Sequence, residues 1–187
     1  MRLFLAINLD PALRRELFDE TAPLREAAPE IAWVREPQIH LTLKFLGEQP
    51  AERAGEIAAA MREVAGRHRR IELELGGVGA FPGFRRARVV WMGVETEPRL
   101  ELLHHDVEVA CEALGFEVEG RAYRPHLTLG RVKGRAGEEH MRTLARVAKR
   151  MNFRCAFCVE TIDLMQSEPL PEGSRYTRLD AAPLRTP

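Results

Sequence analysis

The sequence has few cysteines and no long apolar run. Cys111, Cys155 and Cys158 are too few and too unevenly placed for a disulfide framework, which favours a reducing compartment such as the cytoplasm. No stretch approaches the roughly 18 to 20 apolar residues of a membrane span. The first ten residues, MRLFLAINLD, meet Asp10 and Pro11 too early for a secretory signal. We therefore expect a soluble cytoplasmic protein that makes no membrane contact.

An excess of charge of one sign is also missing. Basic and acidic residues number 28 each, so the formal net charge is zero. A protein without a global positive field is not expected to coat nucleic acid. Local arginines can still serve a small or end-directed anionic substrate. The 187 residues, 45% of them hydrophobic, are enough for one domain with a buried core. No helix with an obvious dimer interface is present, which favours a monomer.

One short pattern is present twice. His40-Leu41-Thr42-Leu43 returns as His126-Leu127-Thr128-Leu129, at a separation close to half the chain length. Residues two apart on a strand project from the same face, so each copy predicts an imidazole and a hydroxyl side by side, with leucines facing a core. A single copy is typical of an ordinary amphipathic strand, but chance repetition of the same four residues at this separation is improbable. The repeat predicts that two similar halves each supply one edge of a shared site.

Hydrophobic periodicity predicts about eight strands and four helices in mixed order. The strands are expected at 1–9, 31–34, 39–46, 71–75, 87–94, 125–133, 157–166 and 175–181. The helices are expected from Pro11 to Pro23 or Pro29, and at 51–67, 98–114 and 138–150. The glycine-rich segment GGVGAFPG (residues 76–83) is interpreted as turn and bulge. This order favours an α+β protein with antiparallel or mixed sheets over a doubly wound parallel sheet.

Two imidazoles and two hydroxyls facing each other suit in-line displacement at phosphorus. One side of that reaction needs a base and the other an acid. Imidazole, with an ordinary pKa of roughly 6.5, supplies both forms near neutral pH. The hydroxyls of Thr42 and Thr128 can donate to non-bridging phosphoryl oxygens. No Asp, Glu and His cluster at metal-ligand spacing surrounds either motif, and GGVGAFPG lacks the Lys-Ser or Lys-Thr of a phosphate loop, so no metal or cofactor is expected.

The sequence resembles the two-histidine (2H) phosphoesterases, in particular the LigT-like RNA 2′,3′-cyclic phosphodiesterases, also called 2′-5′ RNA ligases. The resemblance covers nearly the whole chain. It includes MRLFLAINLD, WVREPQIHLTLKFLGE, GGVGAFPGFRRARVVWMGV, ALGFE, YRPHLTLGRVK and SEPLPEGSRYTRL. It implies a single bilobal domain over 1–187, in which two pseudo-symmetric lobes flank a central cleft, with helices outside and one motif strand in each lobe.

The resemblance also implies an activity and roles for the motif residues. His40 would be the proton donor to the leaving 3′-oxygen, and His126 the proton acceptor that activates water. The reaction would be metal-independent hydrolysis of RNA 2′,3′-cyclic phosphate ends, such as those of tRNA fragments, to 2′-phosphomonoesters. An RNA 5′-hydroxyl in place of water would give reversible, ATP-independent 2′-5′ ligation. Sequence symmetry alone leaves open which histidine is the acid.

Other residues are candidates for substrate contacts. Arg131 and Arg124 can bind phosphate, although an exposed salt-bridging arginine is the commoner outcome. Phe45 or Phe81 can stack on a terminal base, although core packing is the ordinary role of phenylalanine. His68 stands beside charged residues and is expected to be solvated.

Two alternative functions remain open at this point. One is a 2H phosphodiesterase for small nucleotides, such as an ADP-ribose cyclic phosphate or a 2′-5′ oligonucleotide. The other is a non-catalytic module that binds RNA ends.

Overall fold

The computed structural model describes residues 1–134, 136–171 and 173–186. These residues form nine β-strands, five α-helices and two 3₁₀ turns. The strands are β1 (Arg2–Asn8), β2 (Ala32–Trp33), β3 (His40–Glu48), β4 (Ile71–Phe81), β5 (Val89–Val94), β6 (His126–Arg131), β7 (Arg154–Val159), β8 (Thr161–Leu170) and β9 (Gly173–Pro183). The helices are α1 (Pro11–Glu20), α2 (Ala22–Ala27), α3 (Arg53–Ala65), α4 (Pro98–Ala113) and α5 (Glu138–Arg150), and the 3₁₀ turns are Glu36–Gln38 and Phe84–Arg86.

All nine strands belong to one antiparallel sheet. Its order is β7-β4-β5-β6-β3-β1-β8-β9, with β2 paired to β6. The two motif strands, β3 and β6, are therefore neighbours at the middle of the sheet, where Leu41 lies opposite Leu127. The α+β class with an antiparallel sheet is confirmed. The order has four strands on each side of this junction, and β2 is added on the side of β6. The division into two pseudo-symmetric lobes of one domain stays a prediction.

The two faces of the sheet are covered differently. One face packs against the helices and forms the main core, to which β3 and β6 contribute Leu41, Leu43, Leu127 and Leu129. On the opposite face a small cluster of Phe4, Ala6 and Met165, with Tyr176 against it, lies beside the motif. The alternation of β3 and β6 thus divides leucines from His and Thr as the repeat predicts.

Local signals explain where α1 and α4 begin. The Asp10 carboxylate accepts a hydrogen bond from the Ala12 amide at 2.8 Å, and Pro11 occupies the first helical turn. In α4, Pro98 again opens the helix, and a buried stripe of Leu100, Leu103, Val107 and Cys111 faces the core. These caps and stripes orient the helices on the side of the sheet away from the motif histidines.

Several predicted boundaries are wrong. The helix that begins at Pro11 ends at Glu20, and Pro23 lies in the first turn of α2 instead of ending a helix. The glycine-rich segment is mostly strand: β4 runs through it to Phe81, and only a register shift between Leu75 and Val78 gives the expected bulge. The strand expected at 157–166 is two strands that break at Glu160.

None of the described helices is both long and apolar enough to cross a membrane. In the same part of the chain, no three His, Cys, Asp or Glu side chains come together in a way that could hold a metal ion.

Candidate active site

The two motif histidines are held by the same backbone device. His40 Nδ1 lies 2.8 Å from the carbonyl oxygen of Gln38, and His126 Nδ1 lies 2.7 Å from that of Arg124. A carbonyl oxygen can only accept, so Nδ1 carries the proton in each ring. The remaining nitrogen, Nε2, is therefore free to accept a proton when the ring is neutral and to donate one when it is charged. Both motifs present the tautomer that acid–base chemistry at Nε2 requires.

The threonines differ in their contacts. The Thr42 hydroxyl lies 3.1 Å from His40 Nε2 and donates to it while that ring is neutral. Thr128 lies opposite Trp91 in the pairing of β5 with β6, on the same face as His126. The hydroxyls and the imidazoles thus share one face of the central strands.

A β-bulge brings Phe45 onto this face. If side chains alternated strictly along β3, Lys44 would follow His40 and Thr42 on this face, and Phe45 would point towards the core. The pairing of β1 with β3 instead skips Leu43, so Lys44 lies opposite Leu5 and Phe45 opposite Phe4. Phe45 is 59% exposed, which excludes the core-packing alternative for this residue.

A second bulge does the same for Arg131 on β6. The pairing of β5 with β6 skips Leu129, so Gly130 lies opposite Val90 and Arg131 opposite Val89. Gly130 takes the core side, where a Cβ atom would lie 2.8 Å from the Trp33 ring. Arg131 therefore shares the face of His126 and Thr128, and both bulges fall three residues after the motif histidine.

Burial and the charge of Arg131 lower the pKa values of both motif histidines. Burial, followed by the charges of Arg131 and His126, lowers the pKa of His40 to about 4. Burial and Arg131 also lower the pKa of His126, although the Arg124 carbonyl opposes the shift. Arg131 is thus close enough to both imidazoles to act on both. In the free protein at neutral pH, the two rings are predominantly neutral.

Aromatic rings lie beside both motif histidines. Phe4 lies 5.0 Å from the His40 ring between centroids, and Tyr176 meets it edge-on at 5.2 Å. On the other side Phe81 meets His126 edge-on at 5.0 Å. Phe4 and Tyr176 were missed in the sequence because β1 and β9 come from opposite ends of the chain. The motif SRYTRL, which contains Tyr176, was the available signal.

A cavity of about 970 Å³ opens beside His126. Its walls contain Thr42 and Phe45 of β3, Phe81 of β4, and Tyr123. The walls also contain Arg86, Arg88, Arg121 and Arg124, so that Arg124 faces the cavity as well as orienting His126 through its carbonyl. Phe81, the second stacking candidate, is partly buried and packs on Trp91 at 5.0 Å.

The segment that precedes β6 is anchored to β3 and α4. The Tyr123 hydroxyl donates to the Thr42 carbonyl at 3.2 Å, and its ring stacks on His104 with 3.7 Å between centroids. Lys44 Nζ donates to Glu108 at 2.7 Å and to the Glu117 carbonyl at 2.6 Å. Lys44 and Glu108 are both buried, so this ion pair fixes the segment that leads to the cavity.

Comparisons with known proteins agree on one family. The sequence profile described as the 2′-5′ RNA ligase superfamily matches residues 11–169, which include both motifs. A protein from Methanothermobacter thermautotrophicus named RNA 2′,3′-cyclic phosphodiesterase is 32% identical over 181 residues, covering 96% of this chain and 97% of that protein.

Two solved structures share the fold over nearly their whole length. The Thermus thermophilus protein TT0787 has a TM-score of 0.77 at 30% identity, covering 100% of this chain and 99% of its own. E. coli LigT complexed with 3′-AMP has a TM-score of 0.74 at 27% identity, covering 98% and 97%. The chain belongs to the 2′-5′ RNA ligase superfamily.

Proposed function

We propose that the protein is a phosphodiesterase that opens RNA 2′,3′-cyclic phosphate ends to 2′-phosphomonoesters, using His40 as acid and His126 as base. One observation carries the proposal: two imidazoles on adjacent strands, each tethered through Nδ1 to a carbonyl two residues earlier, present Nε2 on one face of the sheet. Relatives that match nearly the whole chain are named RNA 2′,3′-cyclic phosphodiesterase. A related structure holds 3′-AMP, a nucleotide with a 3′-phosphate.

The reaction needs no group beyond these side chains and water. His126 Nε2 accepts a proton from water as the water oxygen bonds to phosphorus, and the bond from phosphorus to the 3′-oxygen breaks. His40 Nε2 donates its proton to the leaving 3′-oxygen. The Thr42 and Thr128 hydroxyls and the Arg131 guanidinium bind the non-bridging oxygens, where negative charge accumulates. The product keeps its phosphate on the 2′-oxygen.

The protonation of His40 follows from binding of the substrate anion. In the free enzyme its pKa is about 4, so the ring is neutral and accepts from Thr42. A phosphodiester carries one negative charge, which offsets Arg131 and raises the pKa of both rings. Once His40 is protonated, Nε2 no longer accepts from Thr42, and the hydroxyl turns to the phosphate. Substrate binding is therefore coupled to uptake of one proton.

This coupling sets the pH profile. The active form of the free enzyme carries one proton on the histidine pair, and kcat/KM reports the pKa values of the free enzyme. Both values lie below the ordinary value of 6.5. The singly protonated form therefore becomes more abundant as the pH falls from 7, and we expect kcat/KM to reach its maximum below pH 6.5.

The contacts of the substrate beyond the phosphate are assigned to Phe45 and Arg124. Phe45 is exposed and shares the face of His40, which suits stacking on the terminal base. Arg124 lies in the cavity wall next to His126. Ends of tRNA fragments are the proposed cellular substrates, and a cytoplasmic monomer is the proposed form, because the chain lacks a disulfide framework and has zero net charge. Replacement of water by an RNA 5′-hydroxyl would give 2′-5′ ligation.

The test is hydrolysis of a nucleoside 2′,3′-cyclic phosphate by chelator-treated protein, followed by mapping of the product. We expect the 2′-monophosphate, and we expect His40→Ala and His126→Ala to lower turnover by roughly 10²-fold or more. His105→Ala on the exposed side of α4 is the matched control. Binding of RNA ends without product would contradict the enzyme assignment, and exclusive formation of the 3′-monophosphate would contradict the assignment of the leaving oxygen.

A further inference from the structure

Four arginines line the cavity without carboxylate partners. Arg86, Arg88, Arg121 and Arg124 are all exposed at the cavity walls. No carboxylate oxygen of the residues that the structure describes lies within 4.0 Å of any of them, whereas arginines elsewhere on the surface do form ion pairs. We call these four residues the arginine groove.

The charge of the arginine groove is not cancelled by its neighbours. Glu119 is the one carboxylate among the lining residues. Lys44 also reaches the wall, but its charge is compensated by the buried Glu108. The cavity is therefore locally cationic in a protein whose formal net charge is zero. Such a concentration of positive charge attracts an anion of several charges in preference to a single phosphate.

The cationic walls stand on two separate elements. Arg86 and Arg88 lie at the end of the β4–β5 hairpin, and Arg121 and Arg124 lie in the segment between α4 and β6. Phe45, Phe81 and Tyr123 line the same cavity. Guanidinium groups combined with aromatic faces are typical of grooves for single-stranded nucleic acid, where the arginines follow the backbone and the rings meet the bases.

The size of the cavity exceeds the needs of the reacting phosphate. Its volume of about 970 Å³ is at the upper end of the roughly 300 to 1,000 Å³ of sites for compact ligands. The cavity is continuous with the catalytic centre, because Thr42 and His126 belong to its walls. A strand whose terminal phosphate is at the histidines therefore extends along the arginines.

Hydrogen bonds hold the segment that bears Arg121 and Arg124 against α4 and β3. The Glu119 amide donates to Glu108 at 3.1 Å, and the Tyr123 hydroxyl donates to the Thr42 carbonyl. A backbone held by such contacts loses less conformational entropy when a ligand binds.

Taking the proposed function as its basis, we infer that the arginine groove binds the phosphodiester backbone of the RNA strand that ends in the cyclic phosphate. The enzyme then selects oligonucleotide ends over free nucleoside 2′,3′-cyclic phosphates. A small nucleotide would use the histidines and the contact to Arg124, and would leave Arg86, Arg88 and Arg121 without a ligand.

The experiment compares two substrates in one enzyme preparation: a nucleoside 2′,3′-cyclic phosphate and a single-stranded hexanucleotide that ends in the same nucleotide. The variants are Arg86→Gln/Arg88→Gln in the groove and Arg142→Gln/Arg146→Gln on α5 as the charge-matched control. Urea unfolding of each variant checks the fold. We expect kcat/KM for the hexanucleotide to fall at least tenfold in the groove variant, and that for the mononucleotide to fall less than threefold. The control should match wild type on both substrates.

Two further measurements separate backbone binding from a structural effect. For the hexanucleotide, the slope of log kcat/KM against log salt should become shallower by about 1.4 in the groove variant, which is roughly 0.7 for each lost phosphate contact on a single strand. Arg86→Lys/Arg88→Lys should keep most of that slope, because the charge remains.

Equal losses on both substrates, or no loss on either, would overturn the inference while leaving the proposed function intact. If wild type opens neither substrate, the proposed function fails instead, and the inference fails with it.

Discussion

Replacing His40 should make the protein more resistant to acid while removing its activity. The fold holds this ring neutral, with a pKa of about 4 against an ordinary value of 6.5. The unfolded chain therefore binds a proton at a pH where the folded chain does not, and stability is lost as the pH falls through 6.5 towards 4. Between pH 7 and pH 5, this difference in proton binding lowers the free energy of unfolding by about 2 kcal/mol. Residual contact of the His40 ring with solvent reduces the loss towards about 1 kcal/mol.

Urea unfolding at pH 7 and pH 5 measures this loss. Wild type and His40→Gln share every other titrating group. The difference between the pH dependences of their free energies of unfolding therefore gives the contribution of the His40 ring. We expect His40→Gln to lose about 1 to 2 kcal/mol less than wild type over this interval. His105→Gln removes an imidazole from the exposed side of α4 and should behave as wild type. Parallel losses in wild type and His40→Gln would refute the description of His40 as a buried imidazole that is neutral in the folded protein.

Three further predictions concern the charges and the packing around the site. Arg131→Gln removes a charge that lowers the pKa of both histidines, so the pH of maximal kcat/KM should rise, while the maximum should fall by roughly 10²-fold through loss of phosphate binding. Lys44→Met should destabilise the protein by about 3 to 5 kcal/mol in urea unfolding, since it leaves the buried Glu108 charge unpaired, and adding Glu108→Leu should restore most of that loss. Gly130→Ala should cost about 1 to 3 kcal/mol in the same assay, because its methyl group would lie 2.8 Å from Trp33.

The sequence predicts well what depends on local pattern. The repeated motif identifies β3 and β6, and alternation divides their leucines from His and Thr, since this arrangement follows from the period of a strand. The caps of α1 and α4 are likewise encoded within a few residues, at Asp10 and Pro98. These features require no knowledge of the partner elements.

Features that depend on distant partners are not predicted. His68 was expected to be solvated beside its charged neighbours, but it is 9% exposed and bonds to Asp106 of α4 at 2.8 Å. The ring of Tyr176 reaches His40 only because β9 and β3 belong to the same half of the sheet. The burial of a polar group depends on the element that packs against it. The residues around His68 do not indicate that α4 packs there.

The two bulges determine which side chains stand beside the motif histidines. They bring chemically different residues to equivalent positions of two otherwise similar strands. Each motif histidine is followed five residues later by a side chain that the bulge turns onto its face, Phe45 after His40 and Arg131 after His126. The acid–base pair is thus nearly symmetric, whereas this following position supplies an aromatic ring on one strand and a cation on the other. A nucleotide with its phosphate at Arg131 and its base on Phe45 can bind in one direction only. If the substrate binds as proposed, the direction of the reaction depends on this asymmetry. Exchanging the two residues, as Phe45→Arg/Arg131→Phe, should then abolish selective formation of the 2′-monophosphate even though both histidines remain, which mapping of the product measures.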